Sequence, residues 1–254
     1  GRKLGVFHMD YEVQYRQSTK YVERMFSNNR DILEVFHCCV PFKVPTCTSM
    51  YQQYWRPWQE GYQNIWVRQM PGTALTVKDF DFWNDSLWDY DFQSLFPSWI
   101  RRKKGCKRVC CLVGIRTQES FNRWRAIHSD KNYRKLANYK WTHRVGYYTY
   151  NAYPIYDWKT TDVWTGYARY GWDYNRLYDL YYQAGIPLSR QRVASPFISQ
   201  AVSTLHLYKV IDPDTWGRMV SRVNGVSFAG MYGNTVAMGW RSISCPDGFT
   251  WKEY

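Results

Sequence analysis

The sequence lacks a C-x-x-C pair, an apolar run long enough to span a membrane, an N-terminal signal peptide, an internal repeat and a low-complexity tract. Each absence excludes something. Without paired spacing, the seven cysteines (Cys38, Cys39, Cys47, Cys106, Cys110, Cys111 and Cys245) support neither a zinc site nor a disulfide framework. The adjacent pairs lie inside apolar runs, where cysteine acts as a small buried hydrophobe, and a reducing cytoplasm is the expected compartment. With no spanning run, no membrane partner is expected. His8, His37, His128, His143 and His206 show no metal-ligand spacing. The chain opens on Gly1-Arg2-Lys3 without an initiator methionine, so the expectation is a piece of a longer protein.

Acidic residues are also scarce, 21 against 34 Lys and Arg, which leaves a net charge of +13. Such a surface attracts polyanions: nucleotides, nucleic acid or an acidic partner. The excess crowds the middle of the chain: Arg101-Arg102-Lys103-Lys104, Lys107-Arg108, Arg123, Arg125, Lys131, Arg134, Lys135, Lys140 and Arg144. A solvated basic face and a phosphate path account for that run equally well. Aromatic residues reach 19%, so most Tyr and Trp are expected in packing, and one ring alone does not mark a base-stacking platform.

Periodicity gives a strand over 4–9 ending at Asp10-Tyr11-Glu12, a helix over 17–29 and a second strand over 32–40 closed by Pro41, a parallel crossover unit. A carboxylate just after a parallel strand lies at the edge where α/β proteins bind ligands, which makes Asp10 a candidate. Residues 41–90 are broken by prolines and read as a long excursion, with a short helix over 49–54 and a hairpin over 65–77. A helix over 89–103 follows, with Pro97 inside it, and delivers the chain to an apolar strand over 107–113, read as buried on both faces. Beyond Gly114, Thr117 is expected to cap a helix through Phe121, Trp124 and Ile127. That turn places Arg116 at the corner, where helix-start amides and a guanidinium suit a phosphate or sulfate. The run Lys140-Trp141-Thr142-His143-Arg144 interleaves basic and aromatic residues, as a polyanion grip does. A helix to Tyr170 capped by Asp157 or Thr160, with Asp162 in its first turn, and another over 174–184 come next. From Leu188 onward a basic loop, a helix to Tyr208, a helix opened by Asp212-Pro213 and a loose glycine-punctuated tail read as a helical appendage.

Gly114-Ile115-Arg116-Thr117-Gln118-Glu119-Ser120, followed by Pro154-Ile155 and Trp158-x-x-x-Asp162-Val163-Trp164, resembles the paired signatures of the phosphoadenosine-phosphosulfate (PAPS) reductase-like family. That family belongs to the adenine nucleotide α-hydrolase superfamily, with the ATP sulfurylase small subunit and the ATP pyrophosphatases. Tyr11-Glu12, Tyr156-Asp157-Trp158-Lys159 and Arg192-Val193-Ala194-Ser195-Pro196-Phe197 look most like the IbrA-type branch, whose members carry a C-terminal domain of unassigned function and are associated with a ParB-like protein. The resemblance implies an α/β fold with a mostly parallel sheet flanked by helices. A nucleotide-binding domain is expected over 1–187 and a helical module, expected to be incomplete, over 188–254. It further implies an adenine nucleotide ligand, ATP or PAPS-like, with Arg116, Thr117, Glu119, Lys159, Arg190 and Arg192 around its phosphates and Asp10 at the nucleotide or its Mg2+.

Two departures shape the functional expectation. The family's Ser-Gly-Gly-Lys-Asp-Ser phosphate loop belongs just upstream of the first strand here and is absent, which truncation explains. The cysteines that bind an iron–sulfur cluster or attack sulfate are also missing, Cys245 being the one thiol near the C-terminus, so no cluster is expected. Cleavage of ATP between its α and β phosphates in the intact protein therefore leads. A regulatory or nucleic-acid-associated module comes second, and sulfonucleotide reduction last.

Overall fold

The computed structural model describes residues 3–128, 139, 141–233, 235, 237, 247, 248 and 250. In chain order its elements are β1 (Leu4–Met9), α1 (Arg16–Asn28), β2 (Leu33–Cys38), β3 (Val44–Pro45), β4 (Tyr54–Trp55), α2 (Asp89–Lys103), β5 (Val109–Leu112), α3 (Phe121–His128), β6 (Thr142–Arg144), β7 (Thr149–Ala152), α4 (Thr160–Tyr170), α5 (Leu177–Gln183), α6 (Tyr208–Ile211), α7 (Pro213–Arg222) and α8 (Val226–Tyr232). This is the expected α/β class with a helical C-terminal region. Among the described residues the strands pair as three ladders, β1–β2, β3–β4 and β5–β7–β6, and not as one sheet. Two compact units cut across chain order: Gly1–Val77 joins Asn175–Tyr254, and Lys78–Tyr174 stands as the second. No helix among the described residues is long and apolar enough to cross a membrane.

In the first unit β1 and β2 run parallel, in register from Leu4↔Leu33 to Met9↔Cys38, with α1 as the crossover. The buried carboxylate of Asp212 caps α7 by accepting from Thr215 N at 3.4 Å, and also accepts from Thr215 Oγ1 at 2.9 Å and from Arg16 N at 2.8 Å. One side chain thus anchors two helix starts 196 residues apart in sequence. The expected helix over 49–54 does not form. Instead β3 and β4 pair antiparallel, which lets the Trp55 indole reach the core edge-to-face on Phe197 at 5.2 Å. The expected hairpin over 65–77 is replaced by a 3-10 turn at Gln63–Ile65 and a single bridge from Leu75 to Cys38. Part of the stretch read as a loose tail is ordered as α8. Gly225 enters it at φ +78°, and a Cβ there would lie 2.0 Å from Thr48 O. Gly225→Ala is accordingly expected to cost about 1–3 kcal/mol, read as a lower urea midpoint with unchanged secondary structure.

In the second unit β5 and β7 are parallel and β6 joins β7 antiparallel. Helix α2 forms as expected, Pro97 included, because Phe92, Phe96 and Trp99 on one face bury against Phe80, with ring centroids 5.0, 6.5 and 4.8 Å away. β5 is not buried on both faces: Cys110 and Leu112 are exposed, as the edge strand of its ladder permits. Thr117 does not start the next helix either. Thr117–Glu119 is a 3-10 turn, Ser120 is extended, and α3 begins at Phe121 with Ser120 Oγ accepting from Arg123 N. α4 begins at Thr160, where Asp162 reaches back to accept from Lys159 N at 2.8 Å, so neither expected cap is used.

Candidate nucleotide corner and buried carboxylate network

The two motif segments meet beyond the carboxyl ends of β5 and β7. Val113 N continues the ladder to Ala152 O at 2.8 Å, after which the chains leave the sheet side by side. Thr117 donates through its amide (2.8 Å) and its hydroxyl (3.0 Å) to Tyr156 O. Arg116 Nη1 donates to Thr160 Oγ1 at 3.2 Å and to Trp158 O at 3.5 Å, while Gln118 Oε1 accepts from Thr160 N at 2.8 Å. Arg116 Nε donates to Glu119 Oε1 at 3.1 Å, and Arg123 also lies against Glu119. The Arg116 side chain is only 13% exposed.

This corrects the expectation of an open guanidinium at a helix start. Arg116 is a brace between the motifs, paired to Glu119, with its Nη2 left uncommitted among the described residues. The structure brings Arg116, Thr117 and Glu119 together with the segment carrying Lys159, whose own side chain is exposed. Thr160 and Gln118 were missed by sequence reasoning. The signal for Thr160 was its place inside the Trp158-to-Asp162 motif, and that for Gln118 its place inside the Gly114-to-Ser120 motif. Of the basic run, residues Lys131, Arg134, Lys135 and Lys140 lie outside the described residues. Thr142 and His143 are buried, with His143 Nε2 hydrogen-bonded to Ile127 O at 3.0 Å.

Asp10, Arg190 and Arg192 belong to the first unit. The two arginines sit exposed on the loop before Phe197. Asp10 is the reverse, 1% exposed just past β1. Its Oδ1 accepts from Glu12 N at 2.9 Å, and its Oδ2 accepts from His37 Nε2 at 2.7 Å and from Arg68. Burial opposes ionisation of Asp10, but the His37 hydrogen bond and the Arg68 guanidinium outweigh it and hold the carboxyl well below the usual carboxylate range. His8 and His37 face each other in strand register, rings 4.9 Å apart. Burial foremost, then the charges of His37 and Arg68, push His8 down to about 4 against the pull of Asp10.

The donor atoms of His8, Asp10 and His37 lie within 4.8 Å of one another. That set does not fit the expected Mg2+, a hard ion that takes oxygen ligands and keeps its waters. Two imidazoles and a guanidinium surround a carboxylate whose acceptors are already engaged, so Asp10 is corrected to a structural anion. Neither histidine was singled out from the sequence. The parallel register of 4–9 with 33–38 was the signal that pairs them.

Glu12, also missed, is fully buried at φ +63° and accepts from Trp58 N (2.7 Å), Val67 N (3.0 Å) and the Arg222 fork (3.0 and 3.2 Å). Nearby in this unit a cavity of about 140 Å³ is lined by Tyr11, Tyr15, Tyr181, Ser195 and Tyr208 among others. It is too small for a whole nucleotide, whose pockets run to several hundred Å³.

Residues 80–185 match the family described as phosphoadenosine phosphosulfate reductase domain, and residues 185–254 match a domain of unknown function, DUF3440. Among curated proteins the chain is similar to the uncharacterized protein YbdN of Escherichia coli (strain K12), 36% identical over 259 residues. The alignment takes in 100% of this chain and 63% of that relative, so the chain spans less than two thirds of its length. No solved structure matches. With both motif segments folded into one corner and the two domain matches abutting at residue 185, residues 80–185 carry a phosphoadenosine phosphosulfate reductase domain and residues 185–254 the DUF3440 domain that follows it.

Proposed function

We propose that this chain is the greater part of a protein that binds ATP or a PAPS-like nucleotide and, when intact, cleaves ATP between its α and β phosphates, releasing pyrophosphate and activating a substrate as an adenylate. The observation that carries the reading is the corner where Arg116 ties Gly114–Ser120 to Trp158–Thr160, since this joins the two family signatures through one cation. Glu119 and Thr160 fix the guanidinium in place, and Nη2 is the atom available to a phosphate oxygen. A preset donor of that kind stabilises charge that develops on the phosphate during cleavage. Lys159 is proposed to draw in the anion, Mg2+ to arrive with the phosphates, and a ParB-like protein to be the partner.

Sulfonucleotide reduction stays last, for a physical reason. Burial pushes the thiols of Cys39, Cys47, Cys110 and Cys111 upward, which disfavours their thiolates, and Cys245 lies outside the described residues. In titration calorimetry on the full-length parent protein, Arg116→Ala is expected to weaken ATP binding by roughly 10- to 150-fold, the worth of a charged hydrogen bond. Release of AMP and pyrophosphate should fall in parallel. Unchanged ATP affinity in the Ala variant would sink the assignment.

A further inference from the structure

The parallel strands β5 and β7 have a second end. Where their carboxyl ends lead to the Arg116 corner, their amino ends meet the last turn of α2 and the loop between β6 and β7, about 13 Å of strand away. Val109 N donates to Tyr148 O at 3.0 Å there, and Cys106 N to Arg101 O at 3.0 Å, so the α2–β5 and β6–β7 connections lie side by side.

Cations and rings collect at this end in pairs. Arg101 lies over Tyr148 at 4.8 Å, Arg144 over Tyr147 at 5.1 Å and Arg108 over Tyr150 at 6.0 Å. Arg144 also donates to Gly146 O (3.1 Å) and Tyr147 O (2.9 Å), which stiffens the loop that presents the rings. Tyr147 is 75% exposed and Tyr148 44%. Arg102 is held by Asp81 at 3.1 Å, but Arg101, Lys103, Lys107, Arg108 and Arg144 have no carboxylate partner among the described residues.

We propose that this end of the second unit binds single-stranded nucleic acid, with phosphates along the cations and bases on Tyr147 and Tyr148. The charge calls for a polyanion. Exposed, braced rings between the cations call for one whose flat groups are not already stacked in a duplex, because every unpaired base has a face that an aromatic ring can cover. An acidic peptide would satisfy the cations and leave the rings in water.

The test is fluorescence anisotropy on the full chain, using a short labelled oligothymidylate and a duplex of equal length. The single strand should bind more tightly than the duplex. Tyr147→Ala should weaken single-strand binding by roughly 5- to 150-fold, the usual loss per stacked base, and Tyr147→Phe should retain it. Lys107→Gln with Arg108→Gln should flatten the salt dependence by about 1.4 in log–log slope. Arg116→Ala should leave oligonucleotide binding unchanged, so this proposal and the nucleotide assignment fail separately. Equal affinity for duplex and single strand with no response to Tyr147→Ala would overturn it. So would displacement of the oligonucleotide by polyglutamate at equal charge, or absence of binding to either probe at low salt.

Discussion

Arg222→Met is expected to lower the free energy of unfolding by about 3–5 kcal/mol, the most of any replacement considered. Glu12 is fully buried, and its carboxylate is held by two backbone amides and both arms of the Arg222 fork. Removing the cation leaves a negative charge in the interior with half of its partners gone. The loss reaches further, because Arg222 Nη2 also donates to Arg56 O at 2.6 Å and the guanidinium lies over Trp55 and Tyr62 at 5.5 and 5.3 Å. Adding Glu12→Gln to Arg222→Met should recover part of the loss, since it removes the unpaired charge. Urea unfolding followed by far-ultraviolet circular dichroism measures both; a single-variant loss below about 1 kcal/mol would mean that the pair behaves like a solvated surface bridge.

Acidification from pH 6.5 toward 4 is expected to remove up to about 3 kcal/mol of stability. The group responsible is His8, which burial holds down at about 4 from 6.5. In that window the unfolded chain binds a proton that the folded chain refuses. Stability from this source is therefore complete above about 6.5, falls as the pH drops, and levels off below about 4. Asp10 acts lower: its carboxyl lies below its unfolded value, so its contribution is lost only as the pH falls beneath the ordinary carboxylate range. His8→Leu should flatten the profile between pH 6.5 and 4 and leave the fall at lower pH in place. Urea midpoints across that range decide it, and a wild-type chain whose stability does not change there would remove His8 from the account.

The sequence signals that survived are those with a local cause. The 4–9 strand, the 16–28 helix and the 33–38 strand follow from periodicity, and the Phe92, Phe96 and Trp99 face of α2 outweighs Pro97. Asp212-Pro213 marks a helix start because capping chemistry is written in adjacent letters. What failed depends on partners far along the chain. Residues 49–54 have helical spacing, but Trp55 is drawn into an extended strand by Phe197, more than a hundred positions later. Gly225 looked like a loosened tail because nothing nearby in sequence announces Thr48.

The site shows the same division. Motif spacing located Arg116, whereas its pairing with Glu119 and Thr160 depends on how two loops leave neighbouring strands. Asp10 was placed correctly at a strand end, yet its character was misjudged, since His37 and Arg68 reach it from 27 and 58 residues away.

The division of the chain into units bears on its birth as well as its stability. Residues up to Val77 share a unit with Asn175 and beyond, so the ribosome delivers β1, α1, β2 and the Trp55 hairpin well before α5, α7 and α8 exist to cover them. At about 5–20 residues per second the stretch from Lys78 to Tyr174 imposes a wait of about 5–20 s, during which that stretch can close on itself. Over that interval Trp55 lacks Phe197 and the Glu12 carboxylate lacks the Arg222 fork, and the nascent segment up to Val77 is where a chaperone would be needed most.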